Sequence, residues 1–318
     1  MKIVIAGGAG TLGRSLSSSL LAEGHDVVVL TRTPGRRPMP GVAEVGWDPA
    51  EIAPWAHVLE ADGPIAVVNL AGKLVDCRPT AENIRELRES RVRATEALVA
   101  ASQRLSRPVD RWLQGSTIGL FDDTGELRIT EQTPDPTDGL PQMTGVVLPW
   151  EKAAAGANAA RKVTIRTSIA LDAHTPALDR LLLPARLGFG GPIAGGKQWF
   201  SWIHIDDWVR VARAALGLEP GVVIPAGPVI AAAPNPVRNA ELMRELRRAV
   251  NMPIGLPTPA FLIRIAAVAL RTDPLLALTG RHAVSTVLEE AGFEFRFPTL
   301  RGALDDLLGP PQRSTGTP

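Results

Sequence analysis

The sequence has no tyrosine, a single cysteine and almost no net charge. The lone cysteine, Cys77, excludes an intramolecular disulfide and a cysteine metal cluster, and we interpret it as a small buried hydrophobic side chain. A formal net charge of +1 gives no general electrostatic attraction for nucleic acid or for an anionic membrane, so neither is expected as a partner. The absence of tyrosine excludes a phenol as the proton donor of any reaction.

Long apolar runs are also missing. No stretch reaches the roughly 18 apolar residues that a membrane-spanning helix needs. The apolar N-terminal run, residues 1–6, is too short for the core of a signal peptide and leads straight into glycines. We therefore expect a cytoplasmic protein, and a single cysteine suits that reducing compartment.

Short apolar segments instead alternate with helical segments in the N-terminal half. The predicted strands are residues 2–6, 26–31, 66–70, 111–115 and 163–169. The predicted helices include one that ends at Gly24, a long charged one over 80–102, and an alanine-rich one over 150–160. This alternation predicts an α/β fold, a Rossmann-type doubly wound parallel sheet with right-handed crossovers.

A glycine-rich loop joins the first strand to the first helix. Gly7, Gly10 and Gly13 fit the pattern G-x-x-G-x-x-G, and Thr11 and Leu12 lie between the last two glycines. In such a loop one glycine allows the tight turn, another lets the backbone approach a pyrophosphate, and the last lets the helix pack on the strand. The helix N-terminus offers unpaired N–H groups to the phosphates. The loop therefore predicts dinucleotide binding.

The end of the second strand indicates which dinucleotide. A site that prefers NAD(H) places an aspartate or glutamate there to bind the ribose 2′-hydroxyl. This sequence has Thr31 and Arg32 instead, with Arg36 and Arg37 close behind. Because a guanidinium pairs with a 2′-phosphate that a carboxylate would repel, we predict NADP(H) as the cofactor. For Arg36 and Arg37, solvation of the loop is an alternative explanation.

Further motifs establish a resemblance. They are Asn69-Leu70-Ala71-Gly72, Ser90-Arg91, Gly115-Ser116-Thr117, Trp150-Glu151-Lys152-Ala153-Ala154, Arg166-Thr167-Ser168, Leu187-Gly188-Phe189-Gly190-Gly191, residues 195–207 and Gly292-Phe293-Glu294-Phe295. With the glycine loop, they make nearly the whole chain resemble the short-chain dehydrogenase/reductase superfamily, in its extended, sugar-nucleotide-epimerase-like branch. Within that branch the chain is similar to the atypical "epimerase family" proteins, which carry a characteristic C-terminal extension.

The resemblance implies cofactor-binding roles for matching positions. Thr31 and Arg32 would hold the phosphate of the adenosine ribose. The backbone at Leu70, Ala71 and Gly72 would run beside the cofactor at the end of the fourth strand. Ligands of such sheets bind at this edge. The following helix would contribute Glu86 and Arg91, and Ile169 would lie near the nicotinamide. For Glu86, an exposed surface charge is an equal alternative.

The resemblance also points to a missing catalytic group. Typical members use a tyrosine, a lysine four residues later and a serine, and the tyrosine position would here be Leu148 if Lys152 were that lysine. Ser116, in the serine position, is a candidate to hydrogen-bond a substrate carbonyl, although a strand-end hydroxyl that caps local backbone is an alternative. Lys152 is the second catalytic candidate, and Glu151 is also titratable. Their alternative is an exposed first turn of a helix.

His204, Asp206 and Asp207 do not predict a metal site. His204 and Asp206 would share a face of a strand, but the sequence offers no evident third ligand. We therefore predict no metal, and we expect Asp206 or Asp207 to cap the N-terminus of the helix that follows.

The predicted domain organisation has three parts. Residues 1–175 form the NADP(H)-binding Rossmann domain, to which segments around 200–235 return. A smaller mixed, mostly helical substrate lobe with the C-terminal extension covers residues 176–308, with a short strand over 222–224 and helices over 239–250 and much of 261–308. Residues 309–318 form a disordered tail. The extension either covers the cleft or mediates self-association, as in a homodimer.

Two functions fit these observations. The leading hypothesis is an NADP(H)-dependent oxidoreductase or epimerase-like enzyme acting on an unidentified small molecule. The alternative is a non-catalytic NADP(H)-binding sensor or scaffold, since the resemblance includes proteins linked to cell or plastid division. The missing tyrosine favours the alternative, whereas Ser116 and the glycine-rich segment over 187–197 favour the enzyme. A pure interaction module would leave the glycine loop and Arg32 unexplained.

Overall fold

The computed structural model describes residues 1–173 and 175–309. Of the predicted disordered tail, residues 310–318 lie outside the described residues. The strands are β1 (Lys2–Ala6), β2 (Asp26–Thr31), β3 (Ala43–Gly46), β4 (Ile65–Asn69), β5 (Arg111–Thr117), β6 (Arg128–Ile129), β7 (Lys162–Thr167), β8 (Ile169–Leu171), β9 (Trp199–Phe200), β10 (Trp202–His204), β11 (Gly227–Ala231), β12 (Val237–Arg238) and β13 (His282–Ala283).

The helices follow in the same chain order. They are α1 (Thr11–Ala22), α2 (Ala53–Ala56), α3 (Ala81–Gln103), α4 (Thr144–Ala153), α5 (Pro176–Arg186), α6 (Ile205–Ala215), α7 (Asn239–Ala249), α8 (Ala260–Leu270), α9 (Leu275–Leu278), α10 (Thr286–Glu290) and α11 (Leu300–Leu308), with 3-10 turns at His57–Leu59 and Ile118–Leu120. In the described part of the chain, no helix combines the length and the hydropathy needed to cross a membrane.

A seven-stranded parallel sheet forms the centre of the molecule, in the order β11-β7-β5-β4-β1-β2-β3. Alternate residues of β1 enter two apolar cores, because successive side chains of a strand point to opposite faces. Ile3 and Ile5 pack with residues of α1 and α6, whereas Val4 and Ala6 pack with residues of α2 and α3. The predicted doubly wound α/β fold is confirmed.

The alanine-rich stretch does not form the helix expected over 150–160. The helix is α4 (Thr144–Ala153), and it contains Pro149 in its interior. Residues 154–160 instead form turns that lead into β7, tied down by hydrogen bonds from the Asn158 Nδ2 to the Ser102 carbonyl and from the Ala160 N–H to the Val109 carbonyl. Alanine propensity was overridden by these contacts between elements far apart in sequence.

Two strand predictions also need correction. Residues 222–224 are not a strand, and the strand at this edge of the sheet is β11, which pairs with β7. Its prolines, Pro225 just before it and Pro228 within it, argued against a strand, but an edge strand tolerates proline because one side needs no partner. The segment predicted as one strand over 163–169 divides at Ser168 into β7 and β8, and β8 pairs with β10.

The C-terminal part builds a third apolar core outside the sheet. Side chains of α5, α7 and α11 meet there around Trp202. The helix predicted over 239–250 is α7, and α8 to α11 account for the helical part of 261–308.

Helix α8 is unusual in this region. Every residue except Arg264 is apolar, yet Ala267 is the one buried residue of its 11. Phe261, Ile265 and Val268 are each more than half exposed. The prediction that the extension covers the cleft or mediates self-association stays a prediction.

The expected N-cap at Asp206 or Asp207 is wrong. The Nδ1 atom of His204 accepts the Asp206 N–H at 3.1 Å and thereby caps α6. The His204 ring is buried, stacks on Phe297 with centroids 3.8 Å apart, and lies with its Nε2 3.2 Å from Asp306. Asp206 and Asp207 belong to the first turn of the helix, where their charge favours the positive end of its dipole.

We expect His204 to make the protein less stable below about pH 6.5. Burial lowers the pKa of His204 from its ordinary value near 6.5, although Asp206, Asp306 and Asp207 act in the opposite direction. The unfolded chain therefore takes up this proton at a higher pH than the folded chain, so the free energy of unfolding falls as the pH falls through 6.5. Urea unfolding at a series of pH values measures this slope.

Two variants test whether the His204 imidazole causes this pH dependence of stability. His204→Asn keeps a good N-cap side chain but removes the titrating group, so its stability should depend less on pH between 7.5 and about 5.5. His57→Asn, at an exposed histidine, should keep the wild-type slope. An unchanged slope in His204→Asn would show that other groups cause the pH dependence.

Candidate dinucleotide site and active site

The glycine loop is packed tightly beneath the end of β4. Gly7 has a φ of +80°, and a Cβ atom there would lie 2.6 Å from the carbonyl carbon and oxygen of Leu70. A Cβ atom at Gly13 would lie 2.5 Å from the Cα of Gly8, where α1 packs against the loop. Larger side chains cannot enter either position without moving the backbone.

The N-terminus of α1 is open. Gly10 occupies the N-cap position and no side chain caps the helix. Gly10 and Thr11 are exposed, whereas Leu12 is half-buried and Gly13 is buried. The N–H groups of this first turn have no partner within the helix. A helix N-terminus of this kind binds phosphate through its N–H groups and its dipole.

A cavity of about 1,320 Å³ extends from this loop across the ends of β2 and β4 to α3. It brings together most of the cofactor-binding residues predicted from the sequence. These are Gly7, Gly10, Thr31, Arg32, Leu70, Ala71, Gly72 and Glu86. The cavity lies at the carboxyl ends of parallel strands, where doubly wound sheets bind their ligands.

A smaller hollow of about 270 Å³ adjoins Thr31 and carries positive charge. Arg36 and Arg37 line it, and Arg37 is held through its carbonyl by the Arg14 side chain at 2.9 Å. The Glu44 carboxylate also lines it but accepts the Gly35 N–H at 2.6 Å. With Arg32 in the main cavity, arginines flank Thr31 on two sides, an arrangement suited to a phosphate.

Asn69 holds the start of the segment over 70–72; the sequence motif includes it, but no role for its side chain was predicted. Its side chain is fully buried, and its Oδ1 accepts the Ala71 N–H at 3.2 Å. Its Nδ2 donates to Thr95 at 2.8 Å and to Gln114 at 3.1 Å. A polar residue at the end of an apolar strand was the available signal.

Two predicted residues of α3 have different surroundings. Glu86 is exposed and forms an ion pair with Lys73. Arg91 lies beneath the segment over 72–73, where it donates to the carbonyls of Leu87 at 3.0 Å and Lys73 at 2.8 Å. Burial lowers the pKa of Arg91 to about 10. Arg91 thus supports the segment over 72–73, which lines the cavity.

Ser116, Glu151 and Arg166 form a cluster at the ends of β5, α4 and β7. Ser116 and Arg166 are paired neighbours in the sheet, and the Ser116 hydroxyl donates to Glu151 Oε1. Arg166 donates through Nε to Glu151 Oε1 at 3.0 Å and through Nη2 to Oε2 at 2.8 Å. The adjacent Lys152 is exposed. The cluster therefore contains Glu151 rather than the predicted Lys152.

The charges in this cluster stabilise one another. Burial acts to lower the pKa of the Arg166 guanidinium, but the hydrogen bond and charge of Glu151, together with Asp135 at 2.8 Å, outweigh it and raise that pKa. Arg166 therefore stays positively charged.

The cluster lies behind the cavity wall, and none of Ser116, Glu151 and Arg166 lines the cavity itself. A Cβ atom added at Gly115, the residue before Ser116, would be 3.2 Å from the side chain of Leu70, which does line it. Ile169, predicted to lie near the nicotinamide, starts β8, which pairs with β10 outside the central sheet; it is 41% exposed and does not line the cavity. Among the described residues, no group of three His, Cys, Asp or Glu side chains could hold a metal ion.

Comparison with known proteins gives matches over nearly the full chain. Residues 3–141 match the NAD dependent epimerase/dehydratase family, and residues 258–307 match a domain of unknown function, DUF1731. An epimerase family protein of Mycobacterium bovis is 32% identical over 95% of this chain and 96% of its own length. The chloroplastic SDR39U1 homologue of Arabidopsis thaliana, also an epimerase family protein, is 30% identical over 97% of this chain and 87% of its own length.

A solved structure is similar over the same extent. The crystal structure of human epimerase family protein SDR39U1 (isoform 2) with NADPH has a TM-score of 0.81 and 27% sequence identity. The alignment covers 97% of this chain and 99% of the human chain. The likeness therefore includes the C-terminal extension as well as the sheet.

Proposed function

The chain belongs to the epimerase family, an atypical group of extended short-chain dehydrogenase/reductases, and on this premise we propose that it is an NADP(H)-dependent oxidoreductase or epimerase-like enzyme acting on a small molecule. The observation that carries the proposal is the uncapped N-terminus of α1, which opens into a cavity flanked by arginines at the end of β2. NADPH in the human relative supports the same cofactor.

The residues present fit such a cofactor. Gly7 and Gly13 leave room for a backbone approach that any Cβ atom would block. The first turn of α1 would hold the pyrophosphate, and Thr31 with Arg32, Arg36 and Arg37 would hold the 2′-phosphate. When bound, the cofactor would supply or accept a hydride. The segment over 70–72, supported by Asn69 and Arg91, would guide the cofactor towards Ser116.

We expect NADPH to bind at least about tenfold more tightly than NADH, since charge-assisted hydrogen bonds to one phosphate contribute about 1.5–3 kcal/mol. Arg32→Ala should remove much of this preference by weakening NADPH binding and leaving NADH binding nearly unchanged. Arg244→Ala, at an exposed arginine of α7, serves as the control. Quenching of tryptophan fluorescence on titration measures both affinities. Equal affinities in the wild type would refute the proposed choice of NADP(H).

Turnover separates the enzyme from the sensor or scaffold. NADPH oxidation is measured with simple carbonyl compounds and with oxidised sugar nucleotides as acceptors. Reduction of any acceptor at a saturable rate supports the proposed enzyme, whereas tight NADPH binding without turnover favours the non-catalytic alternative. A cytoplasmic location and a homodimer stay predictions, and the Arabidopsis relative is chloroplastic.

A further inference from the structure

We propose that Ser116 and Glu151 form a proton relay that replaces the missing tyrosine, with Arg166 as the residue that positions Glu151. This inference rests on the proposed oxidoreductase function, because it concerns the proton that accompanies hydride transfer. It assigns a role to a half-buried carboxylate, that of Glu151, which the cofactor-binding function does not explain.

The direction of the hydrogen bonds supports the relay. The Ser116 hydroxyl donates its proton to Glu151, so the oxygen of Ser116 keeps lone pairs that can accept a proton from a substrate hydroxyl. Arg166 donates one N–H to Oε1, the oxygen that also accepts the Ser116 hydroxyl, and a second N–H to Oε2 of the same carboxylate. Glu151 is thus oriented towards Ser116 by a side chain that is itself 2% exposed.

The location of the relay is the second argument. Ser116 lies at the carboxyl end of β5, next to β4, and a Cβ atom added at its neighbour Gly115 would be 3.2 Å from the side chain of Leu70, which lines the cavity. Because the uncapped helix α1 follows β1 and the arginines follow β2, the strands β4 and β5 lie on the side where the reactive end of a dinucleotide would extend. A proton acceptor is needed at that place.

The proposed step balances as follows for oxidation of an alcohol. The substrate O–H bond breaks and its proton moves to the Ser116 oxygen, while the Ser116 proton moves to the Glu151 carboxylate. The substrate C–H bond breaks, its electron pair leaves as hydride to the oxidised cofactor, and the carbonyl double bond forms. Glu151 then releases its proton to solvent. Reduction of a carbonyl reverses every transfer.

The kinetic test uses NADPH-dependent reduction of diacetyl. General acid–base catalysis contributes about 100- to 10,000-fold, so Glu151→Gln and Ser116→Ala should each lower kcat by about 100-fold or more, with KM and NADPH affinity within about twofold of wild type. The double variant should be no slower than either single one, because the two groups act as a unit. Ser116→Thr, which keeps a hydroxyl, should recover at least about tenfold over Ser116→Ala.

A second readout does not depend on turnover. In protein labelled with 13C at the glutamate side-chain carboxyl, the NMR signal that disappears in Glu151→Gln should shift in Ser116→Ala. Glu241→Gln, the same substitution at an exposed glutamate of α7, should leave that signal, kcat and NADPH affinity unchanged.

The outcomes separate the two proposals. If Glu151→Gln or Ser116→Ala keeps the kcat of the wild type, the proposed relay is overturned, but the proposed oxidoreductase function is not. Loss of kcat in the single variants with multiplicative loss in the double variant also overturns it, since independent structural damage would multiply. Absence of wild-type turnover despite NADPH binding overturns the proposed enzyme and the relay together.

Discussion

A Gly7→Ala variant is expected to bind NADPH about a thousandfold more weakly than the wild type, a loss of about 4 kcal/mol. The added methyl group would have to occupy space 2.6 Å from the Leu70 carbonyl, so the glycine loop or the end of β4 must move. Both segments line the cavity, and the movement would misalign the N–H groups of α1 with the pyrophosphate. Isothermal titration of NADPH measures the change.

The control for this variant is Gly24→Ala. Gly24 has a φ of +77°, close to the +80° of Gly7, but a Cβ atom there would meet nothing within 4 Å. In both variants, alanine in the left-handed backbone conformation lowers the free energy of unfolding by about 1 kcal/mol. Only Gly7→Ala also brings a Cβ atom against Leu70. Gly24→Ala should therefore lose that stability and keep its NADPH affinity. Similar NADPH affinity in the two variants would contradict the proposed role of the loop.

The sequence predicted the glycine loop because its signal is local. A strand, three spaced glycines and a helix are contiguous, and each glycine has one physical reason to be there. The signal for Thr31 and Arg32 is also local, because Thr31 is the last residue of β2 and Arg32 comes next in the chain. The edge strand β11 had no such signal, since its prolines argue against a strand and its partner β7 lies about 60 residues earlier.

The cluster of Ser116, Glu151 and Arg166 shows a different limit of prediction from sequence. From the sequence, Ser116 and Lys152 were the catalytic candidates and Glu151 was noted only as titratable, whereas in the structure Glu151 is the one of these two adjacent helical residues that contacts Ser116. Adjacent residues of a helix point about 100° apart, so the choice depends on where α4 begins and how it packs. Arg166 is the residue that binds Glu151 and not Lys152, and it lies on β7 beside Ser116 of β5. No local sequence pattern encodes this pairing of the two strands.

The largest expected loss of stability is in Asp207→Asn, at about 3 kcal/mol. The Asp207 side chain is fully buried and accepts the Arg296 N–H at 2.8 Å and the Phe297 N–H at 2.9 Å, one with each carboxylate oxygen. It therefore ties α6 to the segment that leads into α11. An asparagine would keep the shape but place an NH₂ group against a backbone N–H, which leaves a buried donor unpaired and removes the charge.

Its neighbour provides the matched control, since Asp206→Asn makes the same chemical change one residue earlier at an exposed position. Asp206→Asn should lower the free energy of unfolding by no more than about 1 kcal/mol, the usual contribution of an exposed charge in the first turn of a helix. Urea unfolding followed by tryptophan fluorescence measures both variants. Because the contacts of Asp207 hold the C-terminal segment, amide hydrogen exchange in Asp207→Asn should accelerate first around residues 293–308. Uniform acceleration throughout the sheet would show instead that Asp207 stabilises the Rossmann core and not this attachment.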